Sequence, residues 1–253
     1  MYDIHTHILY GIDDGATDLE QMLQMARDAA EDNITHLIAT PHHADEHYWN
    51  PGATVRERVD AANAALQHAQ IPVTIYPGQE VRLYDGLLRD LQDSYVITLN
   101  DSRYLLLELP ASHVPRQAVE MVHELRLLGI TAIIAHPERN AGIVSDTGAL
   151  VELLDAGALA QVTSHSLTGK FGRKTRQLAI ELCKRYMVHL IASDAHNTRS
   201  RNCKLKAASD IVSSVLGRDY HDYYITNARA VLDDQPIDVM PVDRPVKKKF
   251  LFF

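Results

Sequence analysis

The 253-residue chain is 46% hydrophobic and 23% charged, which excludes a disordered polypeptide and fits a soluble globular protein. Its 25 basic and 33 acidic residues leave a formal charge of −8, arguing against bulk nucleic-acid binding. Two cysteines, Cys183 and Cys203, cannot make a disulfide scaffold and favour a reducing cytoplasm, while fourteen histidines point to metal ligation or proton transfer.

The N-terminal MYDIHTHILYG has neither a basic leader nor a long apolar core, so it reads as folded chain rather than a signal peptide. No stretch approaches the roughly 20 apolar residues that span a bilayer, so no stable membrane insertion is expected. Tyr2–Ile4 opens as a strand. Thr17 and Glu20 then form a capping box for a helix over Asp18–Ala30, and a strand follows at Thr35–Thr40. Thr54 and Glu57 make a second box for Val55–His68, ahead of strands at Val73–Tyr76 and Tyr104–Leu109. A helix over Val119–Leu128 ends at Gly129 in the C′ position, before a strand at Thr131–Ala135. The remaining elements are a helix at Leu150–Leu154 before Gly157, a strand at Leu159–Thr163, a helix at Arg173–Tyr186, a strand at His189–Ala192 and a helix at Ala207–Leu216. This alternation, with no linker or repeat, predicts one α/β domain over 1–253: a seven-stranded βα barrel, with an open doubly wound sheet as the alternative. The terminal KKKFLFF reads as a solvated or packed basic-aromatic tail, contact with an anionic membrane surface being the sharper alternative.

Polar residues fall at the ends of these runs in a pattern. Most runs finish on a metal-capable or polar group: Asp3, His5 and His7; His42 and His43; Gln79 and Glu80; Glu108; His136, Glu138 and Arg139; Gln161; Asp194 and His196. In a barrel the C-terminal strand ends share one mouth, so these groups converge. Neutral imidazole with carboxylate suits Zn²⁺, Mn²⁺ or Fe²⁺, and the lack of cysteine ligands argues against a structural zinc site. Residues i and i+2 of an extended segment share a face, which lets His5 and His7 approach one ion; Asp194 and His196 repeat the spacing.

The other histidines serve as a control. His36 and His189 begin their runs, on the opposite face, and read as structural; His68 and His123 lie on helices, and His221 in the polar DYHDYY segment. His47, His113 and His165 read as ordinary loop residues on the mouth side. His43, beside His42, is assigned to the surroundings of the site and to substrate.

Together, D-I-H-T-H, D-D-G, T-P-H-H, P-G-Q-E, E-L-P, A-H-P-E-R and S-D-A-H-N closely resemble the polymerase-and-histidinol-phosphatase (PHP) superfamily. Within it they look most like the bacterial manganese-dependent protein-tyrosine phosphatases of capsule and exopolysaccharide loci. The resemblance runs from Tyr2 to about Arg201, with Asn227-Ala228-Arg229 also in keeping. It implies a distorted seven-stranded βα barrel of PHP type with three divalent ions, Mn²⁺ with Fe or Zn as alternatives. One ion would take His5, His7, Glu80 and Asp194; a second Glu80, Glu108 and His136; a third Asp14, His42 and His196. Asp13 is the rival to Asp14. Arg139 and Arg201 would hold phosphate, with Arg199 as the rival to Arg201.

The chemistry implied is in-line attack by a metal-activated hydroxide on phosphotyrosine, without a covalent phosphoenzyme. The thiol route needs a Cys followed six positions later by Arg. Cys183 leads to His189 and Cys203 to Ser209, so both fail. The resemblance further implies a bacterial tyrosine kinase as partner. By position, Arg173, Lys174 and Arg176 follow the sixth strand and read as a solvated charged face or, more sharply, as an attraction for a phosphorylated tail. The alternatives are a PHP-type phosphatase of a small ester such as histidinol phosphate, and a non-catalytic metal-binding module. Oligomeric state is left open.

Overall fold

A computed structural model describes residues 1–243; the basic-aromatic tail lies outside the described residues. The strands are β1 (Tyr2–Thr6), β2 (His36–Ala39), β3 (His42–His43), β4 (Thr74–Pro77), β5 (Glu80–Arg82), β6 (Tyr104–Glu108), β7 (Thr131–Ala135), β8 (Leu159–Thr163) and β9 (Leu190–Ala192). The helices are α1 (Leu19–Glu31), α2 (Gly52–His68), α3 (Leu87–Gln92), α4 (Ala118–Leu127), α5 (Ala141–Ser145), α6 (Gly148–Asp155), α7 (Ser164–Thr168), α8 (Arg173–Lys184), α9 (Lys206–Val215) and α10 (Arg218–Leu232). No helix among the described residues is long and apolar enough to cross a membrane.

Every ladder is parallel, as a βα repeat requires, but the ladders form two sheets rather than one closed ring. One sheet has the order β1-β2-β4 and the other β3-β5-β6-β7-β8-β9. The expected runs Thr35–Thr40 and Val73–Tyr76 form β2 and β4, and each is followed by a further short strand, β3 or β5, that was not expected. Pro41 has no N–H to give a ladder and separates β2 from β3. Gly78 and Gln79 separate β4 from β5, and there the buried Gln79 amide does the work of a ladder: Oε1 accepts from Ile97 N at 2.6 Å, and Nε2 donates to the carbonyls of Asn50 and Tyr95. The two sheets meet just beyond the ends of β1 and β9. Asp194 N donates to His5 O at 2.9 Å and His7 N to Ala195 O at 2.8 Å, around a single parallel bridge between Thr6 and Ala195.

Side-chain alternation along β6 shows how the layers are filled. Leu105 and Leu107 pack outward with α4, α6 and α8 residues such as Val122, Leu153 and Leu182. Tyr104 and Leu106 turn to an inner cluster with Ile4, Ile38, Ile133 and Leu190. Each such aliphatic side chain contributes about 1.5–3 kcal/mol on full burial. Helix α10 was not expected from the polar DYHDYY start, yet its other face brings Ala228, Val231 and Leu232 against the inner cluster. Asn227 Nδ2 donates to His189 O and fastens the helix beneath β9.

Two caps differ from expectation. The N-cap of α1 is Asp18, not Thr17: its carboxylate accepts from Gln21 N at 2.9 Å, while Gln21 Oε1 accepts from Thr17 N. Aspartate is the stronger cap and takes the position one residue later. Helix α2 starts at Gly52 behind Pro51 with no side-chain cap, so Thr54 lies inside its first turn and the expected box does not form.

Candidate metal centre

The strand ends bring nine side chains to one mouth. In β1 the register slips between Asp3 and Thr6, so Ile4 packs in the inner cluster while His5 and His7 still reach one point, their Nε2 atoms 3.3 Å apart. His5 Nδ1 lies 2.9 Å from Gln161 Oε1 and His7 Nδ1 lies 2.7 Å from Asp13 Oδ2. Both Nδ1 atoms therefore donate, and both Nε2 atoms face inward as lone pairs. Opposite them stand carboxylate oxygens: Glu80 Oε2 at 3.3 and 3.2 Å, and Asp194 Oδ1 at 3.3 and 3.5 Å. Four acceptors at such separations repel one another unless a cation lies between them. A tetrahedral site with metal–ligand bonds of about 2.1 Å has edges of about 3.4 Å, so the donor set fits an ion. Glu80 Oε2, Asp194 Oδ1 and His196 Nε2 are buried and meet no donor in hydrogen-bonding geometry.

Two further groups adjoin this one. His42 Nε2 and His196 Nε2 lie 3.4 and 3.3 Å from Asp14 Oδ1, and His7 completes that set. His42, Glu80 and Glu108 make the third. His136 Nε2 approaches Glu80 Oε1 at 2.8 Å and Glu108 Oε1 at 4.0 Å. His42 thus faces two groups, with Nδ1 3.2 Å from Glu80 Oε2, where a role in one had been expected. All nine expected positions stand together.

Asp13 and Asp14 divide their work. Asp14 offers its oxygen to the cluster, whereas Asp13 accepts from Gly15 N and His42 N and turns the His7 ring. The loop fits because residue 15 is glycine: a Cβ there would stand 2.0 Å from His7 O. Backbone strain also builds the site, since His136 (φ 32°) and Asp194 (φ 53°) occupy the left-handed region, at a cost of about 1–3 kcal/mol each.

Charge is arranged around the carboxylates. Burial alone pushes Glu80 up; without an ion, protons on His5 and His42 take the cation's place, and those charged imidazoles outweigh burial and hold its carboxyl well below the usual range. Glu108 is raised, by burial and then by the negative charge of Glu80. Arg139 Nη1 and Arg201 Nη2 each donate to Asp194 Oδ2 at 2.6 Å. Arg199 instead lies exposed, its backbone N–H bonded to Asn197, so the arginine at the centre is Arg201.

His43 does not face the mouth. It is fully buried, Nδ1 donates to Asn50 O at 2.8 Å, and the ring packs on Trp49, so it braces the β3–α2 loop and cannot touch a substrate as placed. His165, read as an ordinary loop residue, is buried on α7 and braces the opposite rim, within 3.2 Å of Ser193 O and Asn202 Oδ1. Arg82 had escaped notice; its Nη2 lies 2.9 Å from Glu108 Oε2. Its i+2 spacing from Glu80 would have found it. Glu138 also lies beneath the mouth, taking Thr163 N, Thr163 Oγ1 and Ser166 Oγ on Oε1.

The family model for capsular polysaccharide synthesis proteins CpsB/CapC matches residues 1–233. The chain belongs to the CpsB/CapC family. The tyrosine-protein phosphatase YwqE of Bacillus subtilis is 40% identical over 252 residues, covering 100% of this chain and 99% of YwqE. The tyrosine-protein phosphatase CpsB of Streptococcus pneumoniae is 28% identical over 243 residues, 94% of this chain and 100% of that one. Among solved structures, a chain from the crystal structures of YwqE and CpsB, described as unique metal-dependent tyrosine phosphatases, superposes with a TM-score of 0.95. That match is 40% identical and covers 98% of this chain and 100% of the other.

Proposed function

We propose that the protein is a metal-dependent protein-tyrosine phosphatase, a phosphoric monoester hydrolase of a capsule or exopolysaccharide system. The observation that carries this reading is the convergence of His5, His7, Glu80 and Asp194 with ligand atoms at the spacing of a metal site, beside two arginines able to meet phosphate. The full ligand set proposed is His5, His7, Asp14, His42, Glu80, Glu108, His136, Asp194 and His196, for three divalent ions of which Mn²⁺ is the first choice. A distorted seven-stranded barrel is proposed as the parent architecture: β2 with β3 and β4 with β5 each count as one broken strand, and the Thr6–Ala195 bridge supports closure. We assign it to the cytoplasm, with a bacterial tyrosine kinase as substrate.

Divalent ions held there would lower the pKa of a water and offset charge on the phosphoryl oxygens. The chain itself supplies the orientation. Asp13 and Gln161 fix the tautomers of His7 and His5. Arg139 and Arg201, tethered by one N–H each to Asp194, keep their other donors for the charge that develops on phosphate. A phenolate leaving group, with a pKa of about 10, needs little acid assistance. Neither thiol competes as nucleophile: both cysteines are fully buried, and burial pushes Cys183 up to about 12.

Turnover of a phosphotyrosyl peptide, histidinol phosphate and phosphoserine, with Mn²⁺, Fe²⁺ or Zn²⁺ restored to chelated protein, tests the reading. The peptide is expected to be the preferred substrate, activity to vanish on chelation, and iodoacetamide to leave it intact. Preference for histidinol phosphate, or activity surviving thorough chelation, would overturn it.

A further inference from the structure

Charge is unevenly spread along this acidic chain. Between Ser164 and Lys206 stand ten lysines and arginines against two acidic residues, Glu181 and Asp194. The fold carries much of that excess to one side of the mouth. The α7–α8 turn and the start of α8 expose Lys170, Arg173, Lys174 and Arg176, and the loop after β9 exposes Arg199. Gly169 (φ 86°) and Gly172 (φ 95°) let the turn reverse tightly around Lys170 and Phe171. Two contacts join this turn to the centre. Arg139 Cζ lies 5.2 Å from the middle of the Phe171 ring, and Lys170 Nζ reaches Asn202 Oδ1, beside Arg201, at 3.3 Å.

Arg173, Lys174 and Arg199 pair with no carboxylate among the described residues. A phosphate at the mouth is already served by Arg139 and Arg201. The outer cations are exposed on a turn and a helix start rather than folded into a pocket, so their counterpart is an extended anion rather than a second small one. We propose that this basic rim docks acidic residues flanking the phosphotyrosine of a peptide substrate, a specificity that rests on the phosphatase reading above. The acidic remainder of the protein repels such a peptide and the rim attracts it, so approach is steered to the side where the arginines stand.

The test uses the full chain with Mn²⁺, two phosphotyrosyl peptides that differ only in acidic or neutral flanks, p-nitrophenyl phosphate, and the variant R173E/K174E. Wild type should favour the acidic peptide through KM, and more weakly as salt shortens the screening length. The variant should raise KM for that peptide by about five- to tenfold, in keeping with exposed ion pairs, and leave p-nitrophenyl phosphate unchanged. An equal effect on all three substrates, or no preference in wild type, would overturn the docking surface. So would variant-sensitive co-sedimentation with phosphatidylglycerol vesicles in the absence of a peptide preference. Binding of a labelled acidic peptide bearing a non-hydrolysable phosphotyrosine mimic is followed by fluorescence anisotropy. If no phosphotyrosine is turned over but this peptide still binds through Arg173 and Lys174, the docking stands and the phosphatase reading fails.

Discussion

Asp13 Oδ2 stands 2.7 Å from His7 Nδ1, and this one contact decides which nitrogen of His7 faces the cluster. An imidazole between a carboxylate and a cation has its proton held on the outer nitrogen, so the inner one stays a lone pair. Asp13→Asn keeps the shape and removes the charge. It should weaken Mn²⁺ affinity by about 10- to 100-fold, read by titrating activity with metal. An unchanged titration would show that His7 needs no anchor.

Gly15 sits where a side chain has no room. Its added Cβ would meet His7 O at 2.0 Å and His7 Cβ at 2.6 Å, so Gly15→Ala must displace the loop carrying Asp13 and Asp14. A displacement of about 1 Å can cost about a hundredfold in rate. Activity towards p-nitrophenyl phosphate should fall on that scale while far-UV circular dichroism keeps its shape. Full activity would show that the loop yields without consequence.

The two neighbouring arginines should separate cleanly. Arg201 donates to Asp194 and Arg199 does not reach it. Arg201→Lys, which loses the planar fork, should lower kcat/KM by about a hundredfold. Arg199→Lys should leave p-nitrophenyl phosphate hydrolysis at the wild-type rate. Equal losses would mean that both arginines meet the phosphate.

His189 makes stability depend on acid. Burial holds its imidazole down at about 4 from 6.5, and Nδ1 accepts from Ala160 N at 3.1 Å, so the folded state keeps it neutral. The unfolded chain binds a proton below pH 6.5 and the folded one does not until about 4. The stabilisation is therefore complete above pH 6.5 and is lost as pH falls from 6.5 to about 4, by about 3 kcal/mol. His189→Asn, whose side-chain oxygen can still accept, should lower Tm at pH 7 and flatten its decline over that window. An unaltered slope would assign the acid sensitivity elsewhere.

The strand ends were legible because β-structure declares itself by short apolar runs, and Glu108 or His136 then falls where such a run stops. What could not be read was backbone conformation. Nothing in A-H-P-E-R announces that His136 adopts φ 32°, and nothing in S-D-A-H-N that Asp194 adopts 53°. Partnership was equally hidden: Gln161 looked like one more polar strand-end residue and Asp13 like a rival ligand to Asp14 until their bonds to His5 and His7 gave them separate duties. Helix α10 escaped because its first turn is polar and exposed, its apolar contacts coming mainly from Tyr224 onward. His43 misled for the opposite reason, since adjacency to His42 says nothing of direction once the strand is two residues long.

The seam between β1 and β9 also has a bearing on biosynthesis. His5 and His7 precede Asp194 and His196 by nearly two hundred residues in synthesis, and the bonds between His5 and Asp194 and between His7 and Ala195 close only once the later segment is made. A nascent chain holds the imidazoles without the opposing aspartate, and so cannot assemble the tight four-ligand group. Assembly of the four-ligand group is thereby coupled to closure of the seam, so that binding an ion there and joining the two sheets stabilise each other.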